Sequence, residues 1–141
     1  MNFKPFMLVL VLVSGLVTYA QYFPGGVKPF DPKYIVEQKL PFSGDLKARM
    51  QDIVSVSIDI RIEGILLTNV KCGFSGDQLT SMYLEYSAGD RSKILELLKK
   101  KYSTIKCVDE KDIQCFKKGV IKVELGDKYL VYRAEVESEG F

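Results

Sequence analysis

The chain has 141 residues, 47% of them hydrophobic and 27% charged, with a formal net charge of +2 and neither histidine nor tryptophan. This length buries one hydrophobic core and is too short for two ordinary domains, while the balanced charge excludes nucleic acid, whose binders carry a basic stripe and a domain pI above about 9. The missing histidine removes the usual general base, the Ser/His/Asp and Cys/His nucleophile pairs and nearly all zinc sites.

Residues 1–20 read as a secretory signal. Lys4 is their only charge, residues 7–17 are almost wholly apolar, and Thr18-Tyr19-Ala20 puts small residues at the two positions a signal peptidase reads. The apolar stretch 6–20 is shorter than the roughly 20 residues of a spanning helix, so no membrane span is expected after cleavage; an uncleaved anchor is the alternative. No cysteine lies near the processing site to carry a lipid. Losing Lys4 lowers the net charge by one, and the product is expected to be free in a periplasm or the extracellular medium.

Residues 21–42 hold Pro24, Pro29, Pro32 and Pro41 with Gly25 and Gly26 and lack a hydrophobic period, which predicts an extended arm or linker. Its aromatics, Tyr22, Phe23, Phe30, Tyr34 and Phe42, would pin it against the domain or against a partner. A single domain is expected over residues 43–137. From Val54 to Ile62 the alternation predicts one half-buried strand, with Val54, Val56, Ile58, Ile60 and Ile62 on its apolar face. Glu63-Gly64 turns the chain into a second strand, residues 65–74, with Leu66, Val70, Cys72 and Phe74 sharing a face. After Ser75-Gly76-Asp77, residues 79–86 form a third, with Met82, Leu84 and Tyr86 on one side.

Asp90 is expected to cap a helix on which Ile94, Leu95, Leu97, Leu98 and Tyr102 fall at helical spacing. Lys99, Lys100 and Lys101 complement the negative end of its dipole; an anion site is the other reading. Cys107 and Cys115 flank a polar stretch centred on Asp109-Glu110-Lys111-Asp112, which reads as a hairpin tip with the cysteines bridged across it, leaving Cys72 as a buried thiol in a strand. A free cysteine open to intermolecular pairing is the alternative. A last hairpin pairs residues 120–125 with 129–134 around Gly126-Asp127, and residues 138–141 end the chain as a frayed tail. The fold class is α+β: an antiparallel sheet of about five to seven strands, a meander plus hairpins, packed against one main helix near residues 90–102.

Carboxylates are the catalytic candidates that remain, but no pair stands out in the way a glycosidase requires. The acidic tip lacks the ligand spacing and central glycine of an EF-hand, and no Gly-rich phosphate loop occurs; no metal and no cofactor are expected. Cys107 and Cys115 are not a Cys-x-x-Cys redox motif. Among the tyrosines, Tyr83 and Tyr129 lie opposite the better apolar faces and are the candidate recognition residues, with sheet packing as the alternative.

The run Leu79-x-x-Met82-x-Leu84-x-Tyr86 followed by Ile94-Leu95-x-Leu97-Leu98-x-x-Lys101-Tyr102 resembles small bacterial envelope α+β proteins, the domain type of outer-membrane assembly lipoproteins and β-lactamase-inhibitory proteins. The resemblance covers about half of the chain beyond the signal and departs from the lipoproteins in lacking their acylated cysteine. It implies a non-enzymatic domain that works by binding another protein. The leading expectation is therefore an exported, non-enzymatic module that binds a protein or peptide through its sheet. The alternatives are a carboxylate-dependent hydrolase of extracellular polymer, with Asp59 and Glu85 as its test residues, and a secreted structural or self-assembling component using the odd cysteine.

Overall fold

The computed structural model describes residues 22–107 and 112–135. The expected signal 1–20, the acidic tip at 109–111 and the tail 138–141 lie outside the described residues. In chain order the elements are α1 (Lys33–Lys39), α2 (Leu46–Arg49), β1 (Ile53–Ser55), β2 (Ile60–Ile62), β3 (Ile65–Ser75), β4 (Gln78–Glu85), a 3-10 turn (Ala88–Asp90), α3 (Arg91–Lys101), β5 (Ser103–Ile105), β6 (Gln114–Lys118), β7 (Ile121–Leu125) and β8 (Tyr129–Ala134). All strand pairings are antiparallel, in the order β1-β3-β4-β8-β7-β6-β5, with β2 also paired to β3. The fold is thus α+β, with one open antiparallel sheet and one main helix.

Among the described residues the sheet has eight strands, one above the expected five to seven, because the alternating run from Val54 to Ile62 is two strands. Its partner explains the break. Glu63 and Gly64 both have positive φ, 48° and 84°, the backbone of a tight two-residue hairpin turn, and this fixes Ile60 opposite Leu67. Asn69 then adopts a φ of 47°, a left-handed conformation that Asn tolerates better than most residues. The β3–β4 register slips by one between Thr68 and Lys71, and beyond that slip Val54 faces Cys72.

One extra residue moves every later side chain to the other face. Ile65 and Leu67 before the bulge, and Val70, Cys72 and Phe74 after it, are all buried, whereas Leu66, expected on that face, is 37% exposed. Ile58, expected to be apolar-facing in an unbroken strand, is 43% exposed at the break.

Helix α3 begins at Asp90, but the Asp90 carboxylate makes no capping hydrogen bond. A capping residue normally has extended backbone. Asp90 instead closes a 3-10 turn, with φ −96° and ψ −1°, and its carboxylate approaches Lys93 at 3.9 Å. Ile94 and Leu98 are the helix's buried anchors.

Residues 22–42 differ most from expectation. Far from being an extended linker, they carry helix α1 and bury Phe23, Val27, Val36, Leu40 and Phe42 in the main core. Full burial of such side chains stabilises by about 1.5–3 kcal/mol each. Phe23 packs edge-on against Tyr132, with ring centroids 6.0 Å apart, and Phe42 meets Phe74 in the same way. Lys33 lies over the Phe74 ring, and the ion pair of Arg49 with Glu37 ties α2 to α1. The Ser43 amide donates to the Ser55 carbonyl and the Ser57 amide donates to the Pro41 carbonyl, so the end of this segment also covers the free edge beside β1, where exposed backbone would invite foreign strands.

Candidate functional site

The core collects on one side of the sheet. Helices α1 and α3 and residues 23–27 pack over Val54, Cys72, Met82, Leu84, Leu130, Tyr132 and Val123. The alternate residues of the same strands point the other way. Register gives two cross-strand rows there: Ser55, Lys71, Tyr83, Val131, Glu124, Cys115 and Ile105, and beside it Ile53, Gly73, Ser81, Arg133, Lys122, Lys117 and Ser103.

Tyr83 on β4 and Tyr129 on β8 both belong to this outer face. Their rings stack with centroids 6.0 Å apart and an interplanar angle of 16°. Pairing of β4 with β8 sets Tyr129 opposite Glu85, one step along the face from Tyr83. The other support for Tyr129 is Gly126: a Cβ at that position would collide with the ring, so glycine is what lets the tyrosine lie across the hairpin. The hairpin is held from below by the buried Tyr86 hydroxyl, which donates to the Gly126 carbonyl at 2.5 Å.

A polar network runs along one side of the stack. The Tyr83 hydroxyl donates to Glu85 Oε2 at 2.8 Å, and Asn69 Nδ2 donates to Glu85 Oε1 at 2.7 Å. The Asn69 bond, then the Tyr83 bond, and more weakly the Lys71 charge hold the Glu85 carboxyl below its usual range. The bond to Glu85 is likewise the main reason that the Tyr83 hydroxyl is shifted upward. Lys71 Nζ lies 5.9 Å from the Tyr83 ring centroid, within reach of a cation–π attraction. Arg133 pairs with Glu124 at 2.8 Å. A shallow depression of about 340 Å³ opens beside the stack, with Ile53, Lys71, Ser81, Tyr83, Val131 and Arg133 in its lining. Ile53, at its edge, is 68% exposed.

In this network Glu85 is a hydrogen-bond acceptor, taking one bond on each carboxylate oxygen. A glycosidase-type acid needs a carboxyl whose pKa is raised, so that it carries a proton at neutral pH. Glu85 is shifted the opposite way. Asp59 sits exposed in the connection between β1 and β2, and the depression beside Tyr83 has no carboxylate in its lining. Among the described residues no group of three or more Cys, Asp or Glu comes together.

Cys107 and Cys115 lie at disulfide distance, with Cα atoms 5.4 Å apart. Cys115 is buried, yet it stands apart from the main core and shares the outer row with Glu124 and Ile105. Cys72 is free and buried on the inner face, and burial pushes its thiol up to about 12. A thiol in that position offers no handle for a second chain while the fold is intact.

The outer face thus joins the two tyrosines expected from sequence with Asn69, Lys71, Ile53 and Arg133, which sequence reading had not singled out. Lys71 was within reach of it, since it alternates with Val70 and Cys72. Asn69 was not, because its role depends on a bulge. Among the described residues no helix is long and apolar enough to cross a membrane. Comparisons with protein-family models, with curated proteins and with solved structures found no match for the chain.

Proposed function

We propose that this is an exported, non-enzymatic binding module that recognises a protein or peptide through the outer face of its sheet, with Tyr83 and Tyr129 at the centre of the contact. The observation that carries the reading is the pre-formed tyrosine stack on a sheet face that, among the described residues, no helix covers. Rigid aromatic side chains supply contact area at little entropic cost and are enriched where proteins meet. Here the stack is flanked by the exposed Ile53 and by the Lys71 cation, which fits an acidic or carbonyl-rich partner, while Arg133 is already paired with Glu124. Export accords with the signal-like residues 1–20 and with the Cys107–Cys115 pair at bonding distance. The resemblance to small envelope proteins points the same way.

The test is affinity capture from envelope and culture fractions, run side by side with wild type and with the double variant Tyr83→Ser, Tyr129→Ser. A partner retained by the wild type and lost by the variant, with unchanged circular dichroism, supports the reading. Identical capture by both proteins, or none by either, removes the sheet face from consideration.

A further inference from the structure

On the opposite side of the sheet, residues 22–26 and the last turns of α3 do not close completely over the strands. They leave a cavity of about 370 Å³, within the range of about 300–1,000 Å³ typical of small-molecule sites. Its apolar walls are Phe23, Ile62, Leu97 and Leu98. Its polar lining includes Tyr102 and Tyr132, both buried, and the half-buried Lys101. Among the described residues neither tyrosine hydroxyl has a hydrogen-bond partner, and Lys101 has no ion-pair partner.

Neither hydroxyl oxygen is sealed off from solvent-sized space, so each can bond water or a polar ligand group inside the apolar hollow that both residues line. Burial pushes the Tyr102 hydroxyl up to about 12 and shifts that of Tyr132 upward, Tyr102 adding to the latter. Both therefore stay protonated and able to donate at neutral pH. The charge nearby is of one sign: Lys101 also lines the adjoining groove, together with Lys100, Lys117 and Lys118. Donors and a cation beside an apolar wall are complementary to an oxyanion on a hydrocarbon body.

We propose that this cavity binds a small amphipathic carboxylate, its hydrocarbon part held by Phe23, Ile62 and Leu98 and its carboxylate received by Lys101 and the hydroxyls of Tyr102 and Tyr132. The site lies on the face of the sheet opposite Tyr83 and Tyr129 and stands independently of the reading given for them.

Calorimetric titration of the purified, delipidated protein with decanoate, and with decan-1-ol as the uncharged control, tests it. Saturable binding of decanoate is expected at one site, with the alcohol weaker by about tenfold or more, the scale of hydrogen bonds to a charged group. Lys101→Gln should weaken decanoate by about the same factor and leave the alcohol unchanged. Tyr132→Phe, which keeps the ring and its packing on Phe23, should also weaken decanoate selectively. Leu97→Trp, at a half-exposed helix position, should fill the hollow and abolish both ligands without changing the circular dichroism. Tyr83→Ser should leave both affinities intact. Absence of saturable decanoate binding, equal affinity for acid and alcohol, or indifference of decanoate to Lys101→Gln would each overturn the proposal.

Discussion

The substitution Gly126→Ala reports on the tyrosine stack without touching either ring. In the native hairpin the distal ring atoms of Tyr129 occupy the space that an alanine Cβ needs. Tyr129 is half-buried on the outer face, so its ring can swing away, and in doing so it leaves Tyr83. An aromatic pair of this kind contributes about 0.5–1.5 kcal/mol beyond its buried area. Replacing glycine by alanine also restricts the unfolded chain, which by itself stabilises by about 0.4–1 kcal/mol. The two effects oppose one another, so the single variant should differ from wild type by no more than about 1 kcal/mol. The informative quantity is the coupling. In a Tyr83→Leu background the stack is already gone, and Gly126→Ala should then be less costly by about 0.5–1.5 kcal/mol than in the wild type. Urea unfolding of the four proteins, followed by far-ultraviolet circular dichroism, measures the cycle, and loss of the near-ultraviolet tyrosine signal in Gly126→Ala checks that the ring has moved. Additive changes, within about 0.3–0.5 kcal/mol, would show that the stack is not a coupled unit and would refute the reasoning.

Three further outcomes are expected. Phe23→Ala should destabilise by about 3–5 kcal/mol in the same unfolding assay, the cost of deleting a buried phenyl ring; a loss below about 1 kcal/mol would mean that the N-terminal segment is an accessory and not part of the core. Replacing Cys107 and Cys115 together by serine should lower stability by about 2–3 kcal/mol, the chain-entropy value for so short a loop, with the sheet retained; free-thiol titration of the unfolded wild type, unreduced, should find Cys72 alone. Stability should fall as pH rises from about 9 towards 12, because the unfolded chain releases the Cys72 and tyrosine protons near about 8.5 and 10, whereas the folded protein holds those of Cys72 and Tyr102 up to about 12. The slope is about 1.4 kcal/mol per pH unit for each group, and Cys72→Ala should flatten the first part of the curve.

Period and punctuation in the sequence were enough to find α3, the hairpins and the inner faces of β4, β7 and β8, because each of those stretches keeps a single phase from end to end. The phase of β3 was not legible. Asn69 in left-handed backbone flips the strand, and nothing in Thr68-Asn69-Val70 distinguishes a bulge from an ordinary polar residue. Residues 22–42 misled for a related reason. Proline and glycine suggest an unstructured segment when counted, yet Pro32 opens helix α1 and Gly25 turns tightly over Leu40. Their apolar neighbours reach the core singly from irregular backbone, without any period to detect. The pairing of Tyr83 with Tyr129 was legible only as two candidates; that they touch follows from β4 lying against β8, a long-range adjacency that alternation alone does not encode.

That same adjacency makes β8 the strand on which both proposed sites depend. Val131 and Arg133 project to the outer face, while Tyr132 between them projects into the inner cavity. Successive residues of a strand face opposite ways, so side-chain substitutions can alter either site without reaching the other. A one-residue slip of β8 against β4 would do the reverse, carrying the Tyr132 hydroxyl out of the cavity and Val131 into it, and undoing the Tyr129 stack at once. Three features oppose such a slip: the Tyr86 bond to Gly126, the close seat of Tyr129 on that glycine, and the Phe23 ring against Tyr132. The register of this one hairpin therefore positions both faces. The N-terminal segment, through Phe23, is part of what holds that register.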